Sequence, residues 1–142
     1  AHNNIVGVGR SQDWTSHQIE HELSALYDCA HGAGLAVTMP AVFTYNMSHD
    51  IMRFAQIAVR VWGSQMDFAH PEVTAKEGIE ALRSFLISIG MPKNFEELGA
   101  KEEDIEKLAY TCCYGKGNEG GTIGGFVSLK QKDVEAIYQL MV

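Results

Sequence analysis

The chain has 142 residues, about the length of one domain, with 46% hydrophobic residues, 20% charged residues and a formal net charge of −7. The acidic balance leaves no basic stripe for a phosphate backbone, which argues against nucleic acid as a partner. No apolar run reaches the roughly 18 residues that a membrane-spanning helix needs, so no membrane partner is expected. The three cysteines, Cys29, Cys112 and Cys113, are odd in number and two are adjacent. They do not read as a disulfide framework, and they place the chain in a reducing, cytoplasmic compartment.

The opening "AHNNIVGVGR" reads as the tail of an apolar helix cut open, whereas "VEAIYQLMV" closes the chain as an ordinary amphipathic helix. This asymmetry predicts a C-terminal piece of something longer. Between the two ends the periodicity is helical almost throughout. Over Thr15–Asp28, Ile19, Leu23 and Leu26 form one apolar stripe. A second apolar segment runs from about Gly34 to Tyr45, with Pro40 expected to bend it or mark its start. Over Ile51–Trp62 the inward positions are Ile51, Phe54, Ala55, Ala58, Val61 and Trp62. Thr74-x-x-Glu77 reads as a capping box. The helix it opens carries Ile79, Leu82, Leu86 and Ile89, with Gly90 and Pro92 as its stop.

Further along, Asn94-x-x-Glu97 caps a short turn, and Lys101–Tyr114 forms a helix with Ile105, Leu108, Ala109 and Cys112 inward. Gly115–Gly125 is the one long irregular stretch, matching neither a P-loop nor a dinucleotide fingerprint. A last helix spans about Lys130–Met141. No segment alternates with period two, and "TIGGFVSL" is too glycine-rich for a convincing strand. The prediction is an all-α helical bundle of five to seven helices, a single domain over residues 1–142.

Three of the six histidines, His17, His21 and His31, fall within fifteen residues. His17 and His21 are four apart, so on a helix they are neighbours on one face, and Ser24 and Asp28 extend it. A chain reversal between Asp28 and Gly34 would return His31 toward His17, with Gly32 and Gly34 letting the backbone turn tightly. Converging imidazoles suit Zn²⁺ or Fe²⁺. Two other readings stand beside this. "HQIEH" is an H-x-x-E-H string, the zinc metallopeptidase pattern of the inverzincins, with Glu20 as general base and Glu77 or Glu80 as candidate third ligand. The histidines would be incidental if the chain were a non-catalytic helical interaction module.

The stretch "DWTSHQIEHELSALYDCAHGAGLAVTMPAVFTYN", Asp13 to Asn46, resembles the metal-binding signature of the iron-containing alcohol dehydrogenase family. It is most similar to the butanol dehydrogenase and broad aldehyde reductase branch. His17, His21, His31-Gly32 and Pro40 match the elements of that signature, and "EHELSALYD", "IGMPKNFEELG" and "FVSLKQKDVEAIYQLM" extend the likeness along the chain.

The resemblance implies a two-domain parent of the dehydroquinate synthase-like fold. Its nucleotide-binding domain would take NAD(P)H and its helical domain would hold the metal, this chain being the later part of the latter. It implies His17 and His31 as two of four metal ligands, the others being an Asp and a His on an earlier helix. His21 becomes a catalytic, non-ligand histidine beside the substrate. The divalent metal is Fe²⁺ or Zn²⁺, the substrate a primary alcohol or aldehyde, and the isolated chain inactive. Exposed apolar surfaces left by the missing portion lead to a homo-oligomer.

Of the remaining residues, Trp14 is expected to pack, with a substrate-entrance role as its alternative, and Cys29 to be a small hydrophobe. Asp28 either caps the helix or accepts a hydrogen bond from an imidazole. His2, His49 and His70 are taken as structural or exposed, and Met39, Met47, Met52 and Met66 as core filler.

Overall fold

The computed structural model describes residues 5–115, 118 and 120–142. The start of the supposed opening helix and His2 lie outside the described residues, as do 116, 117 and 119 of the irregular stretch. Ile5–Gly7 forms a single 3₁₀ turn.

Helix α1 (Thr15–Tyr27) buries Ile19 and Leu23 completely. Leu26, expected on the same stripe, is instead exposed, because the helix ends one residue later. Asp28 terminates it in the left-handed conformation at φ 51°, its N–H bonded to the Ser24 carbonyl. Two residues on, α2 (His31–Asn46) begins. It therefore starts at His31, not near Gly34, and continues past Pro40. The reversal is made by Asp28–Ala30, and Gly32 and Gly34 are helical rather than turn residues. This helix is apolar on nearly every side, the mark of a central helix, and it packs against α1, α4 and α7.

Asp50 caps α3 (Ile51–Ile57) by accepting from the Arg53 N–H at 3.1 Å. The helix widens into a π turn over Ala58–Trp62, which Gly63 closes at φ 72°. The widening rotates the later residues off the predicted stripe: Phe54, Ala55 and Ala58 are buried, but Val61 is exposed. Helix α4 (Pro71–Ser88) packs closely on this element, and a Cβ added at Gly78 would fall 2.5 Å from the Ala58 Cβ.

The capping box expected at Thr74 is not formed. Pro71 opens the helix a turn earlier, where a missing N–H costs nothing. Thr74 is buried within α4 and accepts from the Asp67 N–H at 2.9 Å. At the other end Gly90 is the stop that the sequence indicates. Its N–H reaches the Ile87 carbonyl and that of Met91 reaches Leu86, a Schellman closure. Ile89, however, is exposed, as are Phe85 and Ile87. Asn94 caps α5 (Phe95–Leu98) as expected, accepting from the Glu97 N–H at 3.0 Å.

A 3₁₀ turn at Glu102–Asp104 leads into α6 (Ile105–Tyr114), whose inward residues are those predicted plus Cys113. Two short strands follow, which the sequence did not indicate. β1 (Thr122–Ile123) pairs antiparallel with β2 (Leu129–Lys130), Ile123 opposite Leu129. Two residues are too few for alternation to show. What holds the hairpin is burial of Ile123 and Leu129 and the Asp13 carboxylate, which accepts from the Gly125 and Phe126 N–H groups at 2.8 and 3.1 Å. Helix α7 (Gln131–Gln139) then returns across the bundle.

The main core joins α1, α2, α6 and α7 around Ile19, Leu23, Val37, Leu108 and Ile137. Tyr138 is fully buried there, its hydroxyl satisfied by donating to the Ile19 carbonyl at 2.8 Å. A smaller core lies between α3 and α4, with Met47 and Met66 packed on it; Met52 is exposed, not filler.

Candidate metal centre

Helices α1 and α2 are joined by three residues and pack along one another. This brings the three histidines together. The ring centres of His17 and His31 are 5.4 Å apart, those of His21 and His31 5.5 Å, and those of His17 and His21 6.4 Å. His21 and His31 are exposed and His17 is half-buried, so the cluster faces outward from the bundle while the apolar side of α1 lies behind it. His49 and His70 are elsewhere on the surface, His49 beside Phe126 and His70 beside Glu72.

Glu20 lies behind the cluster. It is fully buried, and both its oxygens are engaged: Ser24 Oγ bonds Oε1, and His31 Nδ1 bonds Oε2. Ser24 also reaches the Cys29 carbonyl at 3.2 Å. Ser24 therefore does not extend the histidine face; it serves the carboxylate. Asp28 is the C-cap of α1, the first of the two roles the sequence offered for it. Trp14 is not packed away. It is about half exposed, and its ring meets that of His17 edge-on at 5.0 Å, so it forms one wall beside the cluster. Cys29 is half-buried against the main core, its sulfur 3.7 Å from Ser24 Oγ.

One donor atom each from Glu20, His21 and His31 lie within 4.8 Å of one another. That group does not include His17, and imidazole nitrogens brought this close suit Fe²⁺ or Zn²⁺. The burial of Glu20 and its two hydrogen bonds make it a support rather than a ligand. With Nδ1 of His31 turned to Glu20, the other ring nitrogen, Nε2, is the one left for an ion. The same burial counts against the peptidase reading, which needs Glu20 beside a water in the open cleft. Its candidate third ligands, Glu77 and Glu80, are exposed residues of α4. A cavity of about 550 Å³, lined by Arg10, Phe43, Asn46, Phe54 and Phe126 among others, lies between α2, α3 and the segment before α1; none of the three histidines lines it.

The profile of the Fe-containing alcohol dehydrogenase family, C-terminal part, matches residues 4–142. The chain belongs to the Fe-containing alcohol dehydrogenase family. The NADH-dependent butanol dehydrogenase A of Clostridium acetobutylicum is 33% identical over 138 residues, which make up 96% of this chain and 34% of that enzyme. The NADPH-dependent aldehyde reductase YqhD of Escherichia coli is 30% identical over 106 residues, 75% of this chain and 27% of that protein. Among solved structures, the NADH-dependent butanol dehydrogenase A of Thermotoga maritima superimposes with a TM-score of 0.89 at 34% identity, covering 99% of this chain and 36% of that one. The helical architecture is thus that of the family's C-terminal part, and the chain spans about a third of the length of the curated relatives it matches. No helix among the described residues is long and apolar enough to cross a membrane.

The sequence offered Glu20 only as a candidate peptidase base. Two signals could have suggested its supporting place instead: a serine four residues on, which shares its helix face, and a glycine at 34, one turn into α2.

Proposed function

We propose that this chain contributes half of the metal site of an NAD(P)H-dependent alcohol dehydrogenase that interconverts primary alcohols and aldehydes. The observation that carries the reading is the convergence of His17, His21 and His31 on one outward face of the α1–α2 pair. His17 and His31 would hold the divalent ion. When bound, such an ion stabilises the negative charge that develops on a carbonyl oxygen as hydride arrives. His21, exposed beside them, exchanges a proton with the substrate oxygen, a contribution of about 10²–10⁴-fold in such reactions. Trp14 closes one side of the substrate's approach. The apolar rear of α1 keeps the imidazoles at a fixed height above the core.

Nicotinamide binding and the remaining ligands would come from polypeptide outside these 142 residues, so the chain alone is expected to be inactive. The names of the butanol dehydrogenase relatives support a butanol-like primary alcohol as substrate. α2 borders both cores, which favours treating residues 1–142 as one domain, and three free thiols fit a cytoplasmic setting. Self-association is favoured by an apolar patch on α3 and α4. There the rings of Trp62 and Phe85 lie 5.8 Å apart, and Val61 and Ile89, close to them in sequence, are exposed.

Titration of the chain with Zn²⁺ and with Fe²⁺ at neutral pH, repeated on His31→Ala, tests the site. Weak binding that the substitution weakens further is the expected result. Tight stoichiometric binding indifferent to His31 would overturn the assignment and revive a self-contained site around His17 and His21.

A further inference from the structure

We infer that Glu20 is a positioning residue, which fixes the tautomer and the ring orientation of His31 so that Nε2 faces the metal. The inference rests on His31 being a ligand, as proposed above.

Two observations support it first. Glu20 is fully buried on α1, a place where a carboxylate needs partners. It has two, Ser24 Oγ on Oε1 and His31 Nδ1 on Oε2. The carboxylate oxygen is placed as acceptor, which makes His31 Nδ1 the donor. The other nitrogen is then left with its lone pair, as a metal ligand requires.

The second helix is shaped around this carboxylate. A Cβ at Gly34 would lie 2.5 Å from Glu20 Oε1 and 2.7 Å from its Cγ. The carboxylate therefore fills the space that a side chain at 34 would occupy. Ser24 Oγ lies 3.2 Å from the Cys29 carbonyl as well, a second acceptor for its single proton. The chain Ser24–Glu20–His31 ties α1, the buried carboxylate and the imidazole into one unit. Outer-shell carboxylates of this kind orient ligand histidines in many metal sites.

The test uses the metal-free 142-residue chain, at a pH where its imidazoles are neutral, with histidine ring tautomers read by long-range ¹H–¹⁵N NMR. His31 should carry its proton on Nδ1. Glu20→Gln should preserve that tautomer, because the amide oxygen can accept from Nδ1 while its NH₂ donates to Ser24. Glu20→Ala combined with Gly34→Ala, which refills the vacated space so that the helix pair still packs, should shift His31 toward the Nε2–H form that free imidazole side chains prefer. Zn²⁺ affinity should fall about 10–100-fold in that double variant and far less in Glu20→Gln. Retention of the Nδ1–H form in a folded Glu20→Ala/Gly34→Ala protein would overturn the inference. If the tautomer shifts but His31→Ala leaves Zn²⁺ binding intact, the ligand assignment of His31 fails while the Glu20–His31 coupling stands.

Discussion

Replacing Gly34 by alanine sets two effects of opposite sign against each other. Intrinsic helix propensity favours alanine over glycine by about 1 kcal/mol within a helix. Against that, the new Cβ would sit 2.5, 2.7 and 3.0 Å from Oε1, Cγ and Cδ of Glu20. Overpacking of an interior costs about 1–3 kcal/mol. Glu20 can move aside only by giving up its bond to Ser24 or to His31, and a hydrogen bond to a charged group contributes about 1.5–3 kcal/mol. The clash plus one lost bond, less the propensity gain, leaves a destabilisation of about 1.5–5 kcal/mol. Gly32→Ala is the internal control. Gly32 lies on the same helix with nothing within 4 Å of its Cβ position, so that variant should be neutral or more stable by up to about 1 kcal/mol. Urea unfolding followed by far-ultraviolet circular dichroism measures both. A Gly34→Ala protein as stable as wild type would show that Glu20 relocates freely, and the packing argument would be wrong.

Alkaline pH should unfold the chain partly through Tyr138. Burial pushes its phenol well above the usual value, so its stabilising contribution is complete below a pH of about 10 and is lost as pH rises further, when the unfolded state ionises first. Tyr138→Phe should lose about 1 kcal/mol at neutral pH with the Ile19 hydrogen bond. Above a pH of about 10 its stability should fall less steeply, by up to one proton's worth, or about 1.4 kcal/mol per pH unit; unchanged steepness in urea midpoints would refute the assignment. Light scattering across a concentration series should show dimers or larger assemblies, and a monomer throughout would count against self-association through the Trp62–Phe85 patch.

The three histidines were legible because their chemistry depends on spacing. A pair four apart shares a helix face, and any short reversal after Tyr27 returns the third. The helix periods of α1, α6 and α7 were legible for the same reason, since each has one apolar stripe and one wet face. Where the sequence misled, backbone geometry had replaced periodicity. The π turn after Ile57 rotates Val61 out of its stripe. Pro71 starts α4 before Thr74 can cap it, and Pro40 lies inside α2 rather than at its start. The β1–β2 pairing depends on Asp13, more than a hundred residues away in sequence, and no local pattern encodes it.

Glu20 is the instructive failure. Read locally, it completes an H-x-x-E-H string and suggests a base in a cleft. Its true surroundings depend on where α2 begins. Had that helix started near Gly34, as the apolar run suggests, His31 would lie in a loop and Glu20 would face solvent or a neighbouring turn. Because Asp28 stops α1 in a left-handed conformation and α2 starts at His31, the imidazole and Gly34 fall three residues apart on the same helical face. One of them offers Glu20 a hydrogen bond and the other offers it room. The crossing that packs α1 on α2 is therefore the same contact that holds His31 against Glu20, and a change that loosens the pair should disturb the histidine cluster before it unfolds the domain.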